Sequence, residues 1–169
     1  MSKPRSRLAT LYAAFSLVGA LLQGGKGKTH ESAAVKCASH GPLVEGFGPT
    51  DVYTAAGGPQ ARVAVLMMHG LTKDGIKDHR IPTFASTIAR GGMPVILPEF
   101  PRMKRRLMSF QDPEDVLRVA RAIPQATGID KVVLLALSYA AGPTCLAGSK
   151  MSDEELAGIL TIGAYYDVE

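Results

Sequence analysis

At 169 residues, 46% of them apolar, the chain suits one domain with a core of ordinary size. Its formal charge of +4 is unevenly placed: residues 1–36 hold six Lys and Arg against Glu31, while residues 37–169 hold thirteen basic and fourteen acidic residues. A near-neutral body excludes a broad basic face, so no nucleic-acid partner is expected.

The first segment reads as an address. Lys3, Arg5 and Arg7 precede Leu8 to Leu22, a stretch without charge that matches a basic n-region and an apolar h-region. It is short for a span, which needs about 20 apolar residues. Ser32-Ala33-Ala34, the best cleavage candidate, lies far downstream. An uncleaved anchor, a cleaved signal and an amphipathic or disordered tail stay open. The first two imply a membrane-anchored or exported protein, with membrane contact through residues 8–22; the last implies a cytoplasmic one. Gly24-Gly25-Lys26-Gly27-Lys28 has linker composition and lacks the spacing of a phosphate loop. The expected division is therefore a leader over 1–36 and a folded domain over 37–169. Cys37 would lie in the polar leader region, and Lys36 before it disfavours a lipoprotein acceptor.

Thr50 to Thr54 alternates like an edge strand and is expected beside the first buried strand, Arg62 to Met68. That buried strand ends at His69-Gly70-Leu71-Thr72. A helix follows from Arg80, with Ile81, Phe84, Ala85, Ile88 and Ala89 on one stripe and Gly91-Gly92 as its stop. Met93 to Leu97 is the next strand. Arg102, Lys104, Arg105 and Arg106 then cluster as a solvated loop or helix start, or as a contact for an acidic ligand. Asp112-Pro113-Glu114-Asp115 reads as an N-cap, a Pro at N1 and acids against the helix dipole. Val116, Val119, Ala120 and Ile123 form that helix's buried face, and Pro124 is expected to close it.

Lys131 to Leu137 is a third buried strand, and Ser138 ends it. Tyr139-Ala140-Ala141-Gly142 opens a small-residue helix carrying Cys145, read as a core residue rather than a thiol nucleophile. Ser152-Asp153-Glu154-Glu155 offers a capping box before a last strand, Gly158 to Gly163. Alternation of strands and helices predicts an α/β domain with a mainly parallel sheet and helices on both faces.

A Ser on a sharp strand-to-helix turn is a nucleophile elbow, which needs small residues two places to either side; Ala136 and Ala140 meet that need. The same Ser can instead cap the helix. Backbone after a strand such as 62–68 can aim N–H groups at the mouth of the sheet, and Gly70 permits close approach. The strand, His-Gly loop, helix, strand, helix, strand, Ser, helix, strand order over residues 61–168 resembles the α/β-hydrolases, among them dienelactone-hydrolase-like and lipase-like esterases.

The resemblance implies hydrolysis of an ester or related acyl bond of a small-molecule substrate, with Ser138 as nucleophile and no cofactor or metal. It also implies an oxyanion site at the Tyr139 N–H and around Leu71. His69 would shape the oxyanion loop, the alternative being a general base. Asp167, after the last strand, is a candidate acid or else a turn residue. Tyr139 would line the pocket or pack on it. Asp74, Asp78 and His79 match no ligand spacing and read as a solvated loop.

In that family the acid and the His follow the Ser, yet His30, His40, His69 and His79 all precede Ser138. The expectation is a truncated or split hydrolase domain. A non-catalytic binding relative and an acyltransferase are the competing classes.

Overall fold

A computed structural model describes residues 34–56 and 61–164. Asp167 lies outside the described residues, as does the leader through residue 33. A six-stranded sheet in the order β1-β2-β4-β3-β5-β6 organises the chain. Its strands are β1 (Val35–His40), β2 (Thr50–Ala55), β3 (Val63–Met68), β4 (Val95–Pro98), β5 (Lys131–Leu137) and β6 (Leu156–Ile162). Strands β4, β3, β5 and β6 run parallel, whereas β2 is antiparallel to both β1 and β4.

The helices are α1 (Arg80–Arg90), α2 (Pro101–Lys104), α3 (Asp112–Thr127) and α4 (Ala141–Gly148). Ala64, Leu66 and Met68 of β3 share one core cluster with Val116, Val119, Ala120 and Ile123 of α3 and Ala141 and Ala147 of α4. Val65 and Met67, pointing to the opposite face, are equally buried, and there α1 supplies Ile81, Ala85, Ile88 and Ala89. Handedness explains the split. The step from β3 to β4 and the steps from β4 to β5 and β5 to β6 run in opposite directions across the sheet. Right-handed crossovers therefore put α1 on one face and α3 and α4 on the other.

Several local expectations change. The Thr50 strand is not an edge: β1 covers it on one side and β4 on the other, so it never reaches β3. Val35 and Lys36, on the leader side of the expected boundary, pair with Ala55 and Thr54, and Cys37 sits exposed within β1. Helix α3 has Gln111 at its N-cap rather than Asp112, and it runs through Pro124 to Thr127. A proline this close to the C-terminus forfeits one hydrogen bond but leaves three residues to finish the last turn. Cys145 is exposed on α4 rather than in the core. Ser152 and Glu155 bond as half a capping box, the Ser152 N–H donating to Glu155 Oε2 at 2.9 Å, but at a turn leading into β6 and not at a helix.

Candidate active site

Ser138 follows the last residue of β5 with φ 53°, one of two non-glycine residues with positive φ among the described residues. Side chains in that region crowd their own backbone, at a cost of about 1–2 kcal/mol. A 3-10 turn, Ser138–Ala140, carries the chain from β5 into α4. Ala136 and Ala140 are fully buried, so larger side chains at either place would collide with the core. The hydroxyl caps nothing: neither the turn nor α4 has a side-chain cap bond, and Ser138 is exposed.

Gly70 meets this turn directly. It leaves β3 with φ 72°, and a Cβ there would stand 2.6 Å from the Leu137 carbonyl oxygen and 3.8 Å from Ser138 Cβ. The juxtaposition follows from topology. β3 and β5 are neighbours whose following helices lie on opposite faces, so the chain diverges at their carboxyl ends, where open α/β sheets bind ligands. Leu71 is half-buried there, and its N–H has no acceptor among the described residues.

His69 is buried behind the loop with both nitrogens engaged. Nδ1 lies 2.8 Å from Gly70 O, and Nε2 accepts the Phe100 N–H at 3.1 Å. Burial lowers its pKa, outweighing the Gly70 carbonyl and Glu99, which favour the charged form. A neutral ring donating from Nδ1 and accepting at Nε2 fits both bonds. His69 thus braces the loop against the end of β4 and has no nitrogen left for Ser138.

Two polar groups at this sheet end were not legible as site residues. Glu99, just past β4, is buried and accepts Lys104 Nζ at 2.7 Å; a Cβ at Gly75 would stand 2.6 Å from its Oε2. A lone carboxylate closing the run Val95-Ile96-Leu97-Pro98 is the one signal that marks it. Asp112 is the other. Its buried carboxylate accepts Tyr139 Oη at 2.8 Å, the Ser109 N–H at 3.0 Å and Arg102 Nε at 3.0 Å. Tyr139 is therefore fixed on α3 by its phenol, whose pKa is raised by burial and then by the Asp112 bond.

The basic cluster divides. Arg102 pairs with Asp112 and Asp115, and Lys104 with Glu99, while Arg105 and Arg106 stay exposed without an acidic partner among the described residues. Asp78 is likewise occupied, by Arg80 at 2.7 Å and Thr72 Oγ1 at 3.0 Å. A cleft of about 240 Å³ lies between Phe47, Arg102, Asp115 and Arg118 and does not include Ser138, which stands on open surface.

No protein-family model matches the chain, and no curated protein matches it. Solved structures do. A dienelactone hydrolase from Anabaena variabilis superposes with a TM-score of 0.59 at 13% identity, over 79% of this chain and 65% of that one. A cold-adapted esterase from an Arctic intertidal metagenomic library gives 0.54 at 20% identity, over 82% and 64%. A hormone-sensitive lipase from a metagenome library gives 0.58 at 15% identity, over 94% and 55%. The fold is that of the α/β-hydrolases. The chain spans between 55% and 65% of the length of these three proteins.

Proposed function

We propose that the protein belongs to a serine-dependent hydrolase of esters or related acyl bonds, with Ser138 as nucleophile. The strained φ of Ser138 at the end of β5, directly against Gly70, supports this reading most strongly. A non-glycine residue is held in such a conformation when the surrounding structure imposes it, and such residues gather at functional sites.

In the proposed reaction Ser138 Oγ attacks the acyl carbon while a base takes its proton. The carbonyl oxygen, now anionic, accepts hydrogen bonds from the Leu71 and Tyr139 N–H groups. Collapse expels the alcohol, which takes the proton from the base, and leaves an acyl-Ser138 ester; water then releases the acid and restores the hydroxyl. Asp167 is assigned as the acid that orients the base. No base is assigned among residues 34–164: His69 has both nitrogens occupied, and no hydrogen bond joins Ser138 to His40 or His79.

The bare Ser138 hydroxyl favours one second reading, a binding domain that keeps the fold without turnover. Hydrolysis of p-nitrophenyl butyrate separates them. The 169-residue chain, with no base assigned, should be slow, and any chain that supplies a base should be fast in a way that Ser138→Ala abolishes. Turnover in the 169-residue chain that Ser138→Ala abolishes would place a base among these residues. Turnover that survives Ser138→Ala would end the serine assignment.

A further inference from the structure

We propose that the segment from Arg105 to Phe110 docks this end of the domain onto an anionic lipid surface. Its apolar side chains stand in water. Leu107 is 44% exposed, Met108 71% and Phe110 105%, so three of the six large exposed hydrophobics among the described residues fall within four positions. Continuous apolar exposure of this kind marks an interaction site.

The segment is also held at both ends by hydrogen bonds. The Arg105 N–H donates to Pro101 O at 3.1 Å, the Arg106 N–H to Met103 O at 3.0 Å and the Leu107 N–H to Arg102 O at 2.9 Å, over a fully buried Met103. From the other side, the Ser109 N–H is held by Asp112 and the Gln111 N–H by Ser109 Oγ at 3.1 Å. Arg106 is the second non-glycine residue at positive φ, at 57°. A loop braced at both ends nevertheless holds its apolar side chains in water.

Charge selects the partner. Arg105 and Arg106 adjoin the apolar tip, are exposed, and lack an acidic partner among the described residues. Lys73 and Lys77, exposed on the loop that packs against α2, add to them, with Asp74 the exposed acid between. Apolar side chains on a turn, bordered by cations, suit insertion at the headgroup boundary of an anionic bilayer. The turn leaves α2 at the carboxyl end of the parallel strands, the same sheet end as Ser138, and its Ser109 N–H lies 3.3 Å from Tyr139 Oη. Docking is independent of whether Ser138 turns over substrate.

The chain contains no Trp, so Phe110→Trp in the full chain supplies a single reporter whose signal is separate from any contact made by residues 1–33. Mixing with phosphatidylglycerol vesicles should shift its emission to the blue. Brominated lipid should quench it, and phosphatidylcholine vesicles should do neither. Adding Arg105→Gln and Arg106→Gln should weaken the response at least tenfold. An emission unchanged on anionic vesicles would overturn the proposal, even if the protein sediments with them. So would an emission already blue-shifted in solution, the sign of a second copy or another part of the chain on the loop. A shift with single-stranded oligonucleotide but not with vesicles would assign the loop to nucleic acid instead.

Discussion

The phenol of Tyr139 donates a 2.8 Å hydrogen bond to Asp112 Oδ2, tying the residue after Ser138 to the first turn of α3. The bond crosses 27 residues of sequence and joins the elbow to the Arg102 ion pairs.

Removing the phenol should therefore be felt at both ends. Tyr139→Phe deletes one bond to a charged acceptor and is expected to cost about 1.5–3 kcal/mol. Asp112→Ala should cost more, since it also removes one of the two carboxylate partners of Arg102 and the 3.0 Å acceptor of the Ser109 N–H. Urea midpoints check both, and equal costs for the two variants would show that the network does not act through Asp112.

Strain at the elbow makes a prediction of opposite sign. Ser138→Gly relieves a left-handed residue at some expense in chain entropy, so it should stabilise the domain by about 0.5–1 kcal/mol. Gly70→Ala places a Cβ 2.6 Å from Leu137 O at φ 72° and should destabilise by about 1–3 kcal/mol. Thermal melts measure the pair; a Ser138→Gly protein less stable than the parent would deny the strain.

His69 predicts a pH dependence. Its folded pKa lies below the unfolded value of about 6.5, so between the two the unfolded chain binds more protons. Stability from this group is complete above that range and falls as pH drops through 6.5. In urea titrations from pH 7.5 to 5.5, His69→Gln should be less stable at the upper end and show a flatter slope. An unchanged slope would assign the titration to another group.

The leader is proposed to be an address and not part of the core. Deleting residues 1–33, which stops short of the Val35–Ala55 pairing, should leave the unfolding free energy from denaturant titration within about 0.5 kcal/mol of the parent. A large drop would show that Leu8 to Leu22 packs on the domain.

The fold was legible where a local run of side chains decides it. Continuous apolar runs mark β3 and β5, the Ile81–Ala89 stripe marks α1, and Ala136 and Ala140 leave room for the turn at Ser138. What sequence could not show depends on pairing across long separations. Nothing local places β2 against β4, and Asp112 at a helix start looks like a cap until Tyr139 and Arg102 arrive from elsewhere. Arg102 reads as part of a solvated cluster until Asp112 and Asp115 of α3 meet it.

The nucleophile assignment is tested most directly by mapping a fluorophosphonate adduct on the 169-residue chain, with and without imidazole in solution to stand in for the base. Modification should fall at Ser138, be accelerated by imidazole and be absent in Ser138→Ala. Modification spread evenly over other serines, or a Ser138 that stays unmodified at high imidazole, would contradict it.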